Sequence, residues 1–139
     1  MKYSRLRGVK DIYGADSLLW RKLIASCVKV FEKYNYSLII TPTIEELSLF
    51  TRGIGEGSDM VIKEMYNFKD KGNRDIALRP EGTASVVRAY IENSLPEKSS
   101  LYYIGQMFRY ERPQTGRYRE FYQIGAECFG DASPMKDAE

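Results

Sequence analysis

The chain has 139 residues, 43% of them hydrophobic and 29% charged, with a formal net charge of +2. This is the length and composition of one globular domain, so a disordered chain is excluded, and so is the global basic field of a pure nucleic-acid binder. There is no histidine, and Cys27 and Cys128 are the only cysteines. That combination argues against Ser-His-Asp and Cys-His catalysis, His-based zinc sites and a disulfide framework.

Residues 17–34, "SLLWRKLIASCVKVFEKY", carry Leu19, Leu23, Val30, Phe31 and Tyr34 at helical spacing. Asp16 or Ser17 is the expected N-cap, and Cys27 reads as an apolar packing residue. "YSLIIT", 36–41, is a short strand halted by Pro42. "IEELSLFTR", 44–52, predicts a helix ending at Gly53, followed by the glycine-rich loop "GIGEGSD". "EMYNFKD" and "DIALRP" flank "KGNR" and predict an antiparallel hairpin. "GTASVVRAYIENS", 82–94, predicts a helix with Thr83 near its start. "LYYIGQMFRYE" and "REFYQIGAECFG" predict two long strands joined around "RPQTGRY". At the end, Ser133 takes an N-cap position, Pro134 the first helical position, and Asp137 and Glu139 the first turns. A helix that stops after about six residues is marginal alone, so a longer parent protein is expected. No apolar run has the length of a membrane span, and "MKYSRLRGVKDIYG" lacks the apolar centre of a secretory leader; the expected compartment is the cytoplasm.

The densest chemistry lies in "FRYERPQTGRYREFYQIG", 108–125, where Arg109, Arg112, Arg117 and Arg119 fall within eleven residues. One explanation is a solvated strand face with cross-strand ion pairs to Glu111, Glu120 and Glu127. Against it, Pro113 and Gly116 restrict the loop backbone. Arg109 and Arg117 also flank the loop, so both are placed to address one ligand. Guanidinium holds phosphate or carboxylate oxygens in pairs.

Four segments in order resemble the histidyl-tRNA synthetase family of class II aminoacyl-tRNA synthetases. They are "RGVKDIYG", "TPTIE" with Pro42 (motif 1), "GEGSDMVIKEMYNF" with "LRPEGTASVVRAY", and "FRYERPQTGRYREFYQIGAE" (motif 2). The resemblance covers essentially the whole chain. It implies an α+β fold, an antiparallel β-sheet with flanking helices, with residues 1–139 forming the N-terminal portion of the catalytic domain. Motif 3 and the anticodon-binding domain are not in these residues. It implies ATP-dependent activation of histidine to histidyl-adenylate, with magnesium accompanying ATP, then transfer to tRNA(His), in a homodimer.

Residue by residue, the resemblance implies that Arg109 bridges the substrate carboxylate and the α-phosphate of ATP. Glu111 would contact the adenine end, Phe121 would stack on adenine, and Arg117 would meet the γ-phosphate. Glu81 and Thr83 would hold the histidine α-amino group, and Gln123 and Glu127 would line the amino-acid pocket, Glu127 facing the imidazole. No residue is assigned to a metal. Tyr110 and Tyr122 stand where many relatives carry histidine. Plainer readings exist for several of these residues: a helix-dipole partner for Glu81, a cross-strand bond for Gln123, core packing for Phe121 and an arginine pair for Glu127. Two other functions are weighed. A catalytically silent relative, the histidine-sensing regulatory subunit of ATP phosphoribosyltransferase, needs the amino-acid pocket but not Arg109, Glu111 and Arg117. A bare RNA-binding module needs a basic stripe, which an evenly spread +2 does not supply.

Overall fold

The structure is a computed structural model that describes residues 3–52, 64–112 and 114–139. It is α+β, as expected, but its strands form two three-stranded sheets rather than one. The chain order is α1 (Gly14–Lys33), β1 (Ser37–Leu38), β2 (Ile44–Glu46), α2 (Leu47–Thr51), β3 (Asn67–Lys69), β4 (Asp75–Leu78), α3 (Thr83–Glu92), β5 (Ser99–Phe108), β6 (Glu120–Phe129) and α4 (Pro134–Ala138). The first sheet is β1-β5-β6 and the second β2-β4-β3.

The β5–β6 hairpin is the frame. Its register runs unbroken from Ser99 opposite Phe129 to Phe108 opposite Glu120. Each strand alternates, so one face carries Leu101, Tyr103, Gly105 and Met107 beside Phe121, Gln123, Gly125, Glu127 and Phe129. That face holds the main core: Val86 of α3 joins Leu101, Tyr103 and Met107, with Ile39, Leu95, Phe121 and Phe129 packed around them. Met107 and Val86 are fully buried, and such a side chain contributes about 1.5–3 kcal/mol by leaving water. A second cluster, Phe50, Met65 and Ala77, lies on the other sheet. Ala84 of α3 packs against it, so α3 reaches both clusters.

The opposite face of the first sheet meets α1 through aromatic pairs. Trp20 lies 4.5 Å from Tyr122, and Phe31 stacks on Tyr102 at 4.6 Å. Such pairs add about 0.5–1.5 kcal/mol each beyond their buried area. No residue of α1 is buried, and Leu18, Leu19, Leu23 and Val30 stay exposed.

The structure departs from the sequence reading in three places. First, α1 begins at Gly14, with Tyr13 rather than Asp16 or Ser17 at the cap position. Gly14 has φ +58°, a conformation open to glycine, and Ser17 turns its hydroxyl back to donate to the Gly14 carbonyl at 2.7 Å. Second, only Ser37 and Leu38 of the 36–41 strand join a ladder, and they pair parallel with Leu101 and Tyr102. The antiparallel expectation fails here because β1 reaches β5 across a connection containing the whole second sheet and α3. Third, residues 44–46 are strand, not helix, because Ile44, Glu45 and Glu46 pair with Leu78, Ala77 and Ile76; tertiary pairing overrides local pattern. As expected, Ser133 takes the N-cap position of α4 ahead of Pro134, although its side chain makes no capping hydrogen bond. Its N–H instead donates to Asp131 Oδ1 at 2.9 Å. The expected glycine-rich loop 53–59 and Pro113 lie outside the described residues. The hairpin around "KGNR", the helix after Gly82 and the two long strands are present as expected.

Candidate active site

The expected site residues converge on one face of the β5–β6 hairpin and on the N-terminus of α3. Along β6, Phe121, Gln123, Gly125 and Glu127 point the same way. At about 3.4 Å per residue this row runs roughly 20 Å from Phe121 to Glu127. A ligand lying along it meets different chemistry at its two ends.

At one end, Glu81 sits just before α3. Its Oε2 accepts from the Thr83 N–H at 2.6 Å and its Oε1 from the Ala84 N–H at 2.9 Å. The plain reading of Glu81 is therefore realised: it satisfies two otherwise orphaned donors of the first turn. The Thr83 hydroxyl then donates to Glu127 Oε1 at 2.7 Å. Glu127 is thus held by a threonine, and the alternative of a pair with Arg109 or Arg119 is not what forms. Glu81, Thr83 and Glu127 make one connected cluster across 46 residues of sequence. Gln123 lies in the same row, and its side-chain carbonyl Oε1 is buried without a hydrogen-bond partner among the described residues. A buried acceptor left unpaired is costly, of order 1–3 kcal/mol, and such atoms mark places where a donor belongs.

Beneath this cluster lies Tyr103, a residue the sequence reading did not single out. It is 5% exposed and stands opposite Gly125 in the ladder. A Cβ at Gly125 would sit 2.4 Å from its hydroxyl, and a Cβ at Gly82 2.2 Å from its ring. Both glycines therefore make room for this ring. Burial raises the Tyr103 phenol above its ordinary value; a hydrogen bond with Thr83 opposes this, and the charges of Glu127 and Glu81 reinforce it. The phenol stays protonated at neutral pH. A glycine inside a strand was the available signal for a close approach, although it does not say what approaches.

At the other end, Arg109 follows β5. Its Nε donates to the Pro80 carbonyl at 2.9 Å, and its guanidinium carbon lies 5.2 Å from the centre of the Phe121 ring. Phe121 is also packed against the core, so its plain reading as a packing residue is realised. Arg117 Nε lies 3.0 Å from Glu111 Oε2, and Arg109 Nη1 lies 3.9 Å from Glu111 Oε1. The two arginines thus meet at one carboxylate from opposite sides of the loop, and the pairing with Glu111 named in the plainer reading is the one that forms. Arg119 has a different job. It lies 4.0 Å over the Tyr110 ring and donates through Nε to the Glu111 carbonyl at 3.2 Å, holding the loop base. Glu120 takes the amide of Gln106 at 2.9 Å and faces the other side of the sheet. Three of the four arginines are therefore not a uniform solvated face: Arg109 and Arg117 both lie against Glu111, and Arg119 packs on Tyr110 and holds the Glu111 carbonyl.

This arrangement, guanidinium groups at one end of a strand and a carboxylate–hydroxyl–amide cluster at the other, sits on an α+β core of the aminoacyl-tRNA synthetase kind. Its fold is similar to that of the apo histidyl-tRNA synthetase of S. aureus, with TM-score 0.80 and 40% identity over 99% of this chain and 32% of that one. The sequence model described as histidyl-tRNA synthetase matches residues 8–139, and the chain belongs to that family. A histidine–tRNA ligase of Thermodesulfovibrio yellowstonii is 55% identical over 142 residues, and one of Lacticaseibacillus casei 54% identical over 144; each alignment takes in 100% of this chain and 34% of the relative. The chain thus spans about a third of the length of the curated relatives it matches. A Bacillus halodurans protein titled as an ATP phosphoribosyltransferase regulatory subunit/histidyl-tRNA synthetase shares the fold, with TM-score 0.79 at 20% identity.

Proposed function

We propose that these residues are the N-terminal portion of the catalytic domain of a histidine–tRNA ligase, which activates histidine with ATP as histidyl-adenylate, releasing pyrophosphate, and then transfers it to tRNA(His). The observation that carries the proposal is the division of one strand face into an arginine end and a carboxylate–hydroxyl–amide end. Histidine is a zwitterion with a polar ring. Its ammonium group suits Glu81 and the Thr83 hydroxyl, and its ring N–H suits Glu127. Gln123 Oε1 supplies a further buried acceptor. The carboxylate would then point along the strand toward Arg109.

In the first reaction a carboxylate oxygen attacks the α-phosphorus of ATP, and the bond to pyrophosphate breaks. The nucleophile is already ionised, so no base is required, and the absence of histidine from the chain is no obstacle. What the reaction needs is two anions held together and cations on the phosphoryl oxygens. Arg109 would bridge carboxylate and α-phosphate. Phe121 would stack on the adenine, Glu111 would contact its amino edge, and Arg117 would meet the γ-phosphate. Both arginines now share Glu111, so nucleotide binding would exchange that carboxylate for phosphate oxygens at Arg117. Magnesium enters as part of the substrate MgATP. In the second reaction a terminal ribose hydroxyl of tRNA(His) attacks the acyl carbon and AMP leaves. The working protein is proposed to be a cytoplasmic homodimer; no helix among the described residues is long and apolar enough to cross a membrane.

The regulatory-subunit reading requires the amino-acid end only. Arg109, Glu111 and Arg117 in one connected group favour the ligase. The test is pyrophosphate exchange into ATP by the full-length protein, with each amino acid in turn. Exchange with histidine alone is expected; histidine binding without exchange would favour the regulator.

A further inference from the structure

Arg79 is a cation 8% exposed whose hydrogen-bond partners are all neutral oxygens. Its Nε donates to the Gln106 carbonyl at 2.9 Å. Its Nη1 donates to the Thr41 carbonyl and hydroxyl, both at 2.9 Å, and to the Pro42 carbonyl at 3.4 Å. Among the described residues no carboxylate stands within ion-pair distance of it. Burial accordingly lowers its pKa, with the more distant Glu45 opposing. Charged side chains are almost never this buried unless paired, because losing water is costly. Gly105 leaves space for it: a Cβ there would lie 2.3 Å from Nη2.

The guanidinium ties the β1–β2 connection and β5 to the end of β4. The backbone that follows is where the candidate site is assembled. The Arg79 carbonyl accepts from the Phe108 N–H at 3.0 Å. The next carbonyl, of Pro80, holds Arg109 Nε. The next side chain, of Glu81, caps the helix that presents Thr83 to Glu127. Three consecutive residues thus set both ends of the strand face.

We propose that Arg79 is a positioning residue for the reaction: it fixes the Pro80 carbonyl and the Glu81 carboxylate, and through them the placement of Arg109 and Thr83. This rests on the assignment of Arg109 in the preceding section. With its Nε held by Pro80, Arg109 is left with its two terminal nitrogens for anions; Nη1 now lies 3.9 Å from Glu111 Oε1, which substrate oxygens would replace. Misplacement of a reacting group by about 1 Å costs on the order of 10²-fold in rate. A lysine at position 79 keeps the charge but cannot reach Gln106 and Thr41 together.

The experiment is histidine-dependent pyrophosphate exchange by the full-length protein, with rates per folded active site, in a double-mutant cycle of Arg79→Lys and Arg109→Ala. Arg79→Lys is expected to lower kcat about 10- to 100-fold. The double variant is expected to be no slower than Arg109→Ala alone, since both changes remove one effect. A merely structural role would lower stability and leave the rate per folded site unchanged. Should Arg79→Lys fail to fold, Thr41→Val removes one acceptor without touching the charge and is expected to lower kcat several-fold in the same non-additive way. Unchanged kcat in the variants that fold, or losses that multiply in the cycle, would overturn the proposal. Absence of exchange in the unsubstituted protein would overturn the ligase assignment, and this inference with it.

Discussion

In the proposed site Arg109 and Glu127 divide the work between them, and each makes a separable prediction. Arg109→Ala in the full-length protein should lower kcat by on the order of 10² to 10³, roughly 3 kcal/mol, with a much smaller rise in KM for histidine. Arg109→Lys should rescue poorly, because a point charge does not fork across two oxygens. Near-normal exchange by the lysine variant would return Arg109 to the role of a strand-end cation. For Glu127, calorimetry of histidine and ATP taken separately is decisive. Glu127→Ala should weaken histidine by roughly 1–3 kcal/mol and leave ATP nearly unchanged. Glu127→Gln should be milder, since its amide oxygen still accepts. Equal weakening of both ligands would mean that Glu127 serves only to hold Thr83. Much of this end of the site was legible in advance. Arg109 and Arg117 stood out because cations crowd a short loop, and Glu81, Glu111, Thr83, Gln123 and Glu127 were named through family resemblance. Arg79 and Tyr103 were not legible. Their importance lies in contacts with Thr41, Gln106 and Gly125, and a strand-end arginine or a strand tyrosine looks ordinary until those partners are folded around it.

At the scale of elements, the long strands were readable because their alternation is sustained over ten residues each. The three residues of β2 were not. "IEEL" carries a helix-compatible pattern, and only β4 alongside turns it into strand. Tyr103 is where α3, β5 and β6 meet, so it yields predictions about packing. Gly125→Ala places a methyl carbon 2.4 Å from the phenol oxygen, and the overpacking should cost about 1–3 kcal/mol, read as a lower urea midpoint. The phenol also couples stability to pH. Its folded pKa is raised above the ordinary value, so the folded state keeps the proton longer than the unfolded one. That contribution is complete below the unfolded pKa of about 10 and is lost as pH rises through the folded value. Subtracting the Tyr103→Phe curve from the parent curve should therefore give a difference that is flat at neutral pH and falls above about pH 10. A flat difference throughout would mean that the phenol gains no protection on folding.

For the whole molecule, the coverage of a third of the relatives' length matters most. The 139-residue chain alone should not support histidine-dependent exchange, because the remaining two thirds of those relatives has no counterpart in it. Exchange by the purified chain would contradict this. It should also self-associate. Leu18, Leu19, Leu23 and Val30 leave apolar surface exposed on α1, and Leu38, Ile40 and Ile44 extend it into the following segment. A single monomer boundary in sedimentation at high concentration would count against that.

The parallel pairing of β1 with β5 dictates an order of events. Ser37 and Leu38 must find Leu101 and Tyr102 more than sixty residues away, whereas the two hairpins close through neighbouring chain. Long loops are slow to close, so β1 should dock after the hairpins form. It should also be the first part of its sheet to leave. The Ile39 amide, which donates to the Tyr102 carbonyl at 2.9 Å, should exchange its hydrogen through a smaller opening than the amides at the Ile104–Ile124 pair in the middle of the β5–β6 ladder. Release of β1 carries Thr41 and Pro42 away from Arg79. The breathing of a two-residue strand therefore sets how long the arginine beneath the site keeps its grip.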